Sequence, residues 1–526
     1  MSGPGSELSK AVAAEIVRRR IDKKGEANRV KVEVARAFRA QRVPSDREVI
    51  EALLEMGQLE IAEALRKKPV KTRSGVSVIT VVLPLFLCPH GRCVYCPGGG
   101  STGNPQSYTG REAWVAFAKS IGFDIELQVQ TQVSRLRGMG HRVDKVELVF
   151  IGGTFTAAPG EFQRSAVKEA LVGLHGPSSS LEEALERAEV TRPKVSGITV
   201  ETKPDWSRGS VGDELLKIGV TRVEIGVQAL DDRVLALARR GHTVQDVAEA
   251  TADLRDRAFK VTYHVMPGLP GSTPENDRRW FKQLFEDSRF RPDALKIYPT
   301  MVLPDTPLHR MYERGDYVPY TIEEMVELLS DWLSVVPPYV RVNRIRREIP
   351  NDVVAAGAWP GNLRQLVEER MRERGKKCTC VRCREVGNPE AWVGVDPSDV
   401  TFEISELRYD ASGGEEVFIS YEDPKYRLLA GLLRLRLPKR RLTELTEGAA
   451  LVRELHVYGP VVPVGMRDPA SWQHRGVGTE LMRSAEELAA SEGFERVLVI
   501  SGVGVREYYY KLGYRRAGPY VGKELR

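Results

Sequence analysis

The chain has 526 residues, of which 42% are hydrophobic and 29% charged, an ordinary composition for a folded globular protein. The N-terminus is polar, and the longest apolar run is too short to span a bilayer, so we expect neither secretion nor membrane insertion. The six cysteines therefore belong to a protein expected in the cytoplasm, where clustered thiols more often bind metal than form disulfides.

Residues 1–73 predict helices with basic faces. Apolar residues recur near helical spacing from Ala13 to Phe38, and Pro44-Ser45-Asp46 predicts the start of another helix. Ten lysines and arginines lie between residues 17 and 45, and a second basic stretch covers residues 341–384. Two basic stretches in a chain of net charge +6 are typical of a surface that binds a polyanion, although solvated faces also carry excess charge.

Residues 74–340 alternate short apolar strands with amphipathic helices, which predicts a parallel sheet in the form of a barrel or partial barrel. Active sites on such sheets lie at the carboxyl ends of the strands. Glu201, Gln228, His264 and Tyr298 all lie near predicted strand ends. The predicted strands cover residues 76–85, 146–151, 197–201, 222–226, 260–266 and 294–298.

The first of two cysteine triplets follows the first predicted strand and reads Cys88-Pro-His-Gly-Arg-Cys93-Val-Tyr-Cys96. Three thiolates leave one iron of a [4Fe–4S] cluster without a protein ligand, and that iron can bind a substrate. The aromatic Tyr95 before the last cysteine resembles enzymes that bind S-adenosylmethionine (SAM) at such an iron. A zinc knuckle is the alternative, because C-x2-C also suits zinc.

A glycine pair follows the second predicted strand, in Gly152-Gly153-Thr154. Glycine permits a close approach of the backbone to a ligand, so these residues are candidates to contact the amino acid moiety of SAM, together with Glu201 and Gln228. A simple strand-ending turn is the alternative. The proximity of the first triplet favours the SAM site.

Residues 341–395 form a basic connector that carries the second triplet, Cys378, Cys380 and Cys383. This spacing predicts a zinc site that still needs a fourth ligand, which no further cysteine can supply. The position between two larger domains favours a structural clip over a catalytic metal.

Residues 396–526 change to strands joined by short turns, predicted at 402–409, 415–421, 428–437 and 450–457. After them comes Gln473-His474-Arg475-Gly476-Val477-Gly478, at the start of an amphipathic helix. Backbone N–H groups of such a loop and the helix N-terminus would hold the diphosphate of coenzyme A.

Three further side chains are candidates for acetyl-group chemistry. The ensemble of pyrophosphate loop, preceding strand and Tyr508-Tyr509-Tyr510-Lys511 resembles the GNAT acetyltransferases, in which a tyrosine at the position of Tyr509 protonates the departing thiolate. Glu454 and His456 lie on one side of their strand and could reach the acetyl group. Aromatic packing for Tyr509, and a merely satisfied polar role for either strand residue, are the alternatives.

The whole pattern resembles the catalytic subunit family of Elongator, the tRNA carboxymethyluridine synthases. The similarity covers nearly the whole chain beyond the first few dozen residues. It includes these motifs: Lys68-Pro-Val-Lys-Thr-Arg-Ser-Gly75, Cys93-Val-Tyr-Cys-Pro-Gly-Gly99, Gln106-Ser-Tyr-Thr-Gly110, Gly152-Gly-Thr-Phe155, Glu201-Thr-Lys-Pro-Asp205, His264-Val-Met-Pro-Gly-Leu-Pro-Gly271, Lys296-Ile-Tyr-Pro299, Arg453-Glu-Leu-His456 and Ser501-Gly-Val-Gly504.

This resemblance implies a radical SAM partial barrel of the TIM type, a basic helical tRNA-binding region before it and a C-terminal GNAT α/β domain. It implies modification of the wobble uridine, position 34, in the anticodon loop of tRNA, with SAM, a [4Fe–4S] cluster and acetyl-CoA. A radical derived from SAM would remove hydrogen from the acetyl methyl, the acetyl carbon would add to carbon 5 of uridine, and thioester hydrolysis would leave 5-carboxymethyluridine. Lys296 and Tyr298 would orient the base or the acetyl group.

Two other functions stay open at this point. The first is a protein lysine acetyltransferase with a structural iron–sulfur domain and Glu454 as the base. The second is a tRNA-binding scaffold with degenerate active sites, against which the intact first triplet and pyrophosphate loop argue. The electron donor, accessory subunits and self-association are not predicted.

Overall fold

The computed structural model describes residues 4–40, 42–58, 61–62, 65, 75–99, 102–439, 443–458 and 476–525. Its described strands form two seven-stranded sheets. Before the first sheet lie the helices Pro4–Arg18, Lys24–Ala37 and Asp46–Glu55, which bury Val12, Ile16 and Leu53 in a small separate core. Within the described ranges, no helix is long and apolar enough to cross a membrane.

The first sheet is entirely parallel, and its strands follow the chain order from β1 to β7. An open sheet of this order curves into a half-barrel whose strand carboxyl ends share one rim. The strands are β1 (Ser77–Val82), β2 (Lys145–Ile151), β3 (Lys194–Thr202), β4 (Arg222–Gln228), β5 (Lys260–Val265), β6 (Ala294–Ile297) and β7 (Arg341–Arg344).

The seventh strand is absent from the strands predicted from the sequence. β7 pairs in parallel with β6, from Ala294↔Arg341 onward, so the sheet includes residues that the sequence analysis assigned to the connector. The strand was missed because of its composition: only Val342 of its four residues is apolar and buried, so no apolar run marks it as a strand.

Helices cover the outer face of this sheet and bury apolar residues against it. The helix Ala113–Ser120 instead packs against Val82 and Ile151 in a small separate cluster beside the cavity. Capping boxes begin two of them, where Thr243 and Asp246, and likewise Thr321 and Glu324, bond each other's backbone N–H groups. The helices are Ala113–Ser120, Ile125–Gly138, Gly160–His175, Leu181–Val190, Val211–Lys217, Asp232–Leu237, Val244–Arg255, Pro274–Glu286, Pro307–Glu313 and Ile322–Ser334.

The connector contains the helix Leu363–Glu373 and the short helix Val381–Arg384. It is bonded to both sheets, because the Val381 N–H donates to the carbonyl oxygen of Val340 at 2.9 Å and the Val386 N–H donates to that of Leu429 at 3.0 Å. The second triplet thus lies in a segment that is bonded to the first sheet on one side and to the second on the other.

The second sheet is antiparallel apart from one parallel pair, and its order is β13-β14-β12-β11-β10-β9-β8. The helices Val477–Ser491 and Arg506–Tyr510 belong to this domain, and the first of them packs on the sheet. The strands are β8 (Glu403–Ala411), β9 (Gly414–Glu422), β10 (Leu429–Leu437), β11 (Ala449–Val457), β12 (Arg496–Val499), β13 (Arg515–Ala517) and β14 (Tyr520–Glu524).

The parallel pair β11 and β12 separates halfway along β11. Their register ends at Val452↔Val499, after which only the Ile500 N–H donates to the Val452 carbonyl oxygen at 3.1 Å. β11 continues to Val457 without that neighbour. The opening exposes backbone and side chains of β11, including Glu454 and His456, to the space between the two sheets.

Two features fasten the sheets to each other. Arg453 of β11 is fully buried and pairs with Asp293 of the first domain at 2.7 Å and with Glu416 of the second at 2.7 Å. Gly502 and Gly504 pack on the backbone of β3, where an added Cβ would lie 2.3 Å from backbone atoms. The motif Ser501-Gly-Val-Gly504 is therefore needed for close domain packing, a role that the sequence did not reveal.

Candidate active site and metal centres

One cavity of about 1660 Å³ joins the half-barrel to the second domain. Its wall includes Glu201, His264 and Lys296 near the carboxyl ends of the barrel strands. Lower down the same strands, Arg222 and Lys260 line it. Its far side is formed by the second domain: Glu454, Leu455, His456, Tyr458, Gly476, Gly478, Tyr508 and Tyr509.

The first cysteine triplet lies in the loop after β1, at the rim of strand carboxyl ends. The Ser107 N–H donates to Cys96 Sγ at 3.2 Å, and Arg240 Nη1 donates to Cys93 Sγ at 3.2 Å. His90 Nε2 lies 3.1 Å from the same Cys93 sulfur. Hydrogen bonds of this kind stabilise thiolates and tune the potential of the metal group that they bind.

The predicted glycine pair meets this triplet. Thr154 Oγ1 lies 3.5 Å from Cys88 Sγ, and an added Cβ on Gly153 would lie 3.8 Å from that sulfur. Gly152 and Gly153 have φ angles of 128° and 122°, which side chains disfavour. Gly153 and Thr154 therefore lie beside Cys88, and the binding of SAM by Gly152, Gly153 and Thr154 stays a prediction.

Gln228 is the last residue of β4 and lines the cavity near the triplet. Its φ of 68° is in the left-handed region, which costs a non-glycine residue strain. Its Oε1 atom is buried and has no hydrogen-bond partner among the described residues. A strained residue with an unsatisfied acceptor suits a ligand donor such as the amino group of SAM.

Four charged or titratable side chains meet inside the half-barrel below this rim. Lys296 Nζ contacts the Glu224 carboxylate and lies 3.7 Å from Glu201 Oε1, and His264 Nε2 lies 2.8 Å from Glu224 Oε2. Burial alone would lower the pKa of Lys296, but Glu224 and the nearby Glu201 raise it above its ordinary value. Lys296 is therefore a permanent cation and not a general base.

The oxygen and nitrogen atoms of Glu201, Glu224 and His264 lie within 4.8 Å of one another, as in a metal site. The Lys296 ammonium already contacts the Glu224 carboxylate, however, and supplies the positive charge that a metal ion would bring. This cluster is thus a network of two carboxylates, one ammonium and one imidazole, which suits the binding of a polar substrate.

The helix Val477–Ser491 directs its N-terminus into the cavity. Gly476, with a φ of 85°, precedes the helix, and an added Cβ there would meet no atom of the described residues within 4 Å. Gly478 packs against the Tyr508 hydroxyl, 2.6 Å from the position of an added Cβ. Of the predicted pyrophosphate loop, Gln473, His474 and Arg475 lie outside the described residues, whereas Gly476, Val477 and Gly478 line the cavity.

Tyr509 is buried, and its side chain lines the cavity beside the opening of β11 and β12. Burial raises the pKa of Tyr509 above its ordinary value, so the phenol stays protonated at neutral pH. Its role as the proton donor to a leaving thiolate stays a prediction. The Tyr509 ring also packs against Tyr514, with ring centroids 6.0 Å apart, as the alternative packing role requires.

Glu454 and His456 face the same cavity but differ in their partners. Burial alone would raise the pKa of Glu454, but Lys260 and Arg434 lower it below its ordinary value. The carboxylate is bonded by both cations, at 2.8 Å from Arg434 Nε, which makes it a weak base. Burial lowers the pKa of His456 to about 3, so its imidazole is neutral, and its buried Nε2 has no hydrogen-bond partner among the described residues.

The second triplet is more compact than the first. The sulfurs of Cys378, Cys380 and Cys383 lie within 4.8 Å of one another, and Arg364 Nη2 lies 3.5 Å from Cys383 Sγ. Three converging thiols suit zinc, but no described histidine, carboxylate or cysteine joins them as the fourth ligand. The sulfurs of Cys88, Cys93 and Cys96 form no such compact group among the described residues, which suits a larger iron–sulfur cluster.

The basic face of the N-terminal helices is smaller than the sequence indicated. Several of its cations are paired within the helices, for example Arg19 with Glu33 at 2.7 Å and Lys31 with Asp46 at 2.6 Å. The residues left exposed, with no ion pair recorded in the described part of the chain, are Arg20, Lys23, Arg29, Arg36 and Arg39.

The sequence did not identify Glu224 and Arg240 as site residues. Glu224 is a carboxylate between Val223 and Ile225 in a buried strand, and this departure from the apolar pattern was the available signal. Arg240 is buried against Cys93, which is 147 residues away in the chain, so only the fold brings the two together.

Four family models match the chain. They are the ELP3 N-terminal domain over residues 6–73, the radical SAM superfamily over 82–283, the radical SAM C-terminal domain over 292–373 and the acetyltransferase (GNAT) family over 468–514. The first range covers the N-terminal helices, and the two radical SAM ranges cover most of the first sheet and the start of the connector. The acetyltransferase range covers only the part of the second domain that contains the helices Val477–Ser491 and Arg506–Tyr510.

Relatives of known name match over nearly the whole chain. A tRNA uridine(34) acetyltransferase from Methanocaldococcus jannaschii is 43% identical over 92% of this chain and 90% of its own length. Elongator complex protein 3 from Saccharomyces cerevisiae is 41% identical over 93% of this chain and 90% of its own length. The solved structure of the archaeal Methanocaldococcus infernus Elp3 with an N-terminal deletion covers 86% of this chain and all of its own, with 39% identity and a TM-score of 0.76.

Proposed function

Because this chain belongs to the family of tRNA uridine(34) acetyltransferases and Elongator complex protein 3, we propose that it forms 5-carboxymethyluridine at position 34 of tRNA. It is a radical SAM enzyme of the acyltransferase class, with the two corresponding domains in one chain. In this proposal SAM and acetyl-CoA are its co-substrates, and the anticodon loop of tRNA presents the uridine.

The shared cavity is the observation that carries this proposal. Its wall combines Lys296 and Glu201 of the half-barrel with Tyr509 and Gly478 of the second domain. A radical formed at the first triplet and an acetyl group held by the second domain could therefore react within one enclosed space. Two independent enzymes joined in a chain would have no need of a common cavity.

Cys88, Cys93 and Cys96 would hold the iron–sulfur cluster, and Gly152, Gly153, Thr154 and Gln228 would bind SAM beside it. When bound, the cluster and SAM supply radical chemistry that removes a hydrogen atom from an unactivated carbon. The protein's own contribution is positional: Arg240 and the Ser107 N–H stabilise the ligand sulfurs, and Gln228 offers an unpaired acceptor to the SAM ammonium.

In the second domain, Gly476, Val477 and Gly478 would bind the diphosphate of acetyl-CoA through the helix N-terminus. The acetyl end would enter the opening between β11 and β12, where the protonated Tyr509 can donate its proton to the leaving thiolate. The neutral His456, with its free Nε2, can accept a hydrogen bond from a water molecule that hydrolyses the thioester.

The tRNA would be held mainly through its backbone by exposed cations of the N-terminal helices and the connector. Position 34 lies in a single-stranded loop, so splaying its base into the cavity costs only a few kcal/mol. The cation of Lys296, fixed by Glu224, is then available to polarise a carbonyl oxygen of the base or of the acetyl group.

The second candidate function, a protein lysine acetyltransferase, loses its main support. It requires a base near the acceptor amine, and Glu454 was the candidate for that role. Because Lys260 and Arg434 both pair with Glu454, its carboxylate has little tendency to take a proton from an ammonium group.

For the second triplet we propose a zinc ion that fixes the connector between the domains. Thr379 Oγ1 donates to the Val336 carbonyl oxygen at 3.0 Å, and Arg384 pairs with Glu422 of the second sheet. These contacts on either side of Cys380 and Cys383 support an architectural role. A fourth ligand from a residue outside the described ranges completes the tetrahedron in this proposal.

An anaerobic assay tests the proposed function directly. Reconstituted protein is incubated with SAM, a reductant, acetyl-CoA labelled in the acetyl group, and tRNA, and the digested nucleosides are separated. We expect label in 5-carboxymethyluridine only when SAM is present. Labelled acetyl-lysine on added protein, together with unlabelled tRNA, would instead support the second candidate.

A matched pair of variants tests the acetyl site in the same assay. Tyr509→Phe should slow thioester turnover on the order of a hundredfold, because a general acid contributes roughly this factor. Tyr508→Phe keeps the neighbouring ring and should change turnover much less. Equal rates for Tyr509→Phe and the unmodified protein would assign Tyr509 to packing.

A further inference from the structure

Two aromatic rings and one guanidinium form a corner of the cavity, and of these three side chains only Tyr298 has a role among the sequence predictions. The Cζ atom of Arg347 lies 5.7 Å from the ring centroid of Tyr108 and 5.9 Å from that of Tyr298. All three side chains line the cavity. Distances below about 6 Å mark cation–π contacts, so the guanidinium holds the two rings in a fixed relation.

This corner is anchored on the loop of the first cysteine triplet. Arg347 Nη2 donates to the Ser107 carbonyl oxygen, and the N–H of the same Ser107 donates to Cys96 Sγ at 3.2 Å. Tyr108 is the next residue in the chain. A group held against Tyr108 therefore lies beside the site where SAM would be cleaved.

The other ring is anchored on the charged network of the barrel interior. The rings of Tyr298 and His264 meet edge to face, with centroids 5.3 Å apart and planes at 83°. His264 in turn lies 2.8 Å from Glu224, which contacts Lys296. The second ring is thus preorganised by contacts that do not depend on a ligand.

Arg347 also has donors to spare. In the described part of the chain, its one recorded hydrogen bond goes to Ser107, although a guanidinium carries five N–H donors. A pyrimidine base offers two π-faces and, in uracil, two carbonyl oxygens. Splayed RNA bases are commonly stacked on aromatic side chains and on arginine planes.

We propose that Tyr108, Tyr298 and Arg347 form a base clamp that stacks the target uracil and donates a hydrogen bond to one of its carbonyl oxygens. This inference rests on the proposed function and names the residues that hold its substrate base. The clamp positions the ring between the first triplet and Lys296.

Binding of three anticodon stem-loop RNAs that differ only at position 34 tests the clamp without catalysis. The RNAs carry uridine, cytidine or an abasic site there, and their affinities for the anaerobically reconstituted full chain are measured by fluorescence anisotropy. Stacking of one base contributes a factor of roughly ten or more in affinity. We expect the uridine RNA to bind about tenfold tighter than the abasic one.

Variants of the three clamp residues then test which side chains cause the tighter binding of the uridine RNA. Tyr108→Ala and Tyr298→Ala should each remove most of the difference between uridine and abasic RNA, whereas Tyr108→Phe should keep it, because the ring face is retained. Arg347→Lys keeps the charge but loses the planar fork, and should reduce the preference for uridine over cytidine. Arg111→Ala is the matched control, since Arg111 also lines the cavity but is exposed and should weaken all three RNAs equally.

The outcomes separate the clamp from the proposed function. Absence of RNA binding by the unmodified protein would contradict both. Equal binding of uridine and abasic RNA, or an undiminished preference in folded Tyr108→Ala and Tyr298→Ala, would overturn the clamp while leaving tRNA as the substrate. Weakened SAM binding in these variants, with the RNA preference intact, would assign the rings to the adenine of SAM and would also overturn it.

Discussion

The two cysteine triplets are built from the same side chains in similar short spacings, yet they occupy different surroundings. Cys88, Cys93 and Cys96 lie at the carboxyl rim of a parallel sheet, against Thr154 and the cavity wall. Cys378, Cys380 and Cys383 converge within 4.8 Å in a connector between two domains. The cysteine spacing alone predicts a metal site. The surroundings of each triplet indicate whether the metal is catalytic or structural.

The surroundings of the two triplets differ because a catalytic metal and a structural metal have different requirements. A catalytic iron needs one open position that faces a substrate, so its ligands belong on a loop beside a cavity. A structural zinc needs a closed shell and contacts that hold neighbouring segments in place. Tyr95, between two cysteines of the first triplet, lines the large cavity, whereas the second triplet lies beside hydrogen bonds to both sheets.

Cys96→Ala should have the largest effect. Loss of one ligand from the first triplet should abolish the iron–sulfur absorption band and reduce 5-carboxymethyluridine formation below detection, since the radical chemistry depends on that cluster. Zinc content, measured by mass spectrometry of the purified protein, should not change. Formation of the modified nucleoside by Cys96→Ala at the original rate would show that the first triplet is not catalytic.

Arg453→Met tests how much the buried ion pair, as distinct from the second triplet, contributes to holding the two domains together. The substitution leaves the buried Asp293 and Glu416 carboxylates without their shared cation, which should cost about 3–5 kcal/mol of stability. Lys439→Met breaks the exposed pair with Asp410 and should cost at most about 1 kcal/mol. Urea unfolding measures both.

Retention of zinc by Arg453→Met would show that the clip forms without the ion pair. Equal midpoints for Arg453→Met and Lys439→Met would contradict the assigned role of the buried pair.

Cys380→Ala should destabilise the protein less than Arg453→Met does. Its effect on metal content should be the opposite of that of Cys96→Ala. The variant should lose zinc, keep the iron–sulfur band and unfold at a temperature lower by roughly 5 °C, because the binding free energy of a structural metal contributes to folding. Its product yield should fall less than that of Cys96→Ala. Complete loss of the iron–sulfur band in Cys380→Ala would place the catalytic cluster at the second triplet.

Much of the architecture could be predicted from the sequence. The fold class and the family are confirmed, because apolar strands that alternate with helices specify a parallel sheet, and because radical SAM and GNAT motifs rarely occur together. The strand β7 was missed, since Arg341–Arg344 has a single buried apolar residue. The predicted domain boundaries and site residues stay predictions.

The contacts within the site could not be predicted, because they join residues that are distant in the chain. Lys296 and Glu224 are 72 residues apart, and Cys93 and Arg240 are 147 apart. Their meeting depends on strand order and on side chains that face the barrel interior. For the same reason the sequence suggested Glu454 as a base, although Lys260, 194 residues away, neutralises it.

The smallest predicted effect concerns the arginine beside each triplet. Arg240 Nη1 lies 3.2 Å from Cys93 Sγ, and Arg364 Nη2 lies 3.5 Å from Cys383 Sγ. Arg240→Met removes a cationic donor from a thiolate ligand of iron, so the reduction potential of the cluster should become more negative. Arg364→Met makes the same change beside zinc, which has no redox chemistry, and should leave that potential unchanged. Spectroelectrochemical titration of the two variants measures the difference, and an equal shift in both would mean that the triplets do not hold different metals.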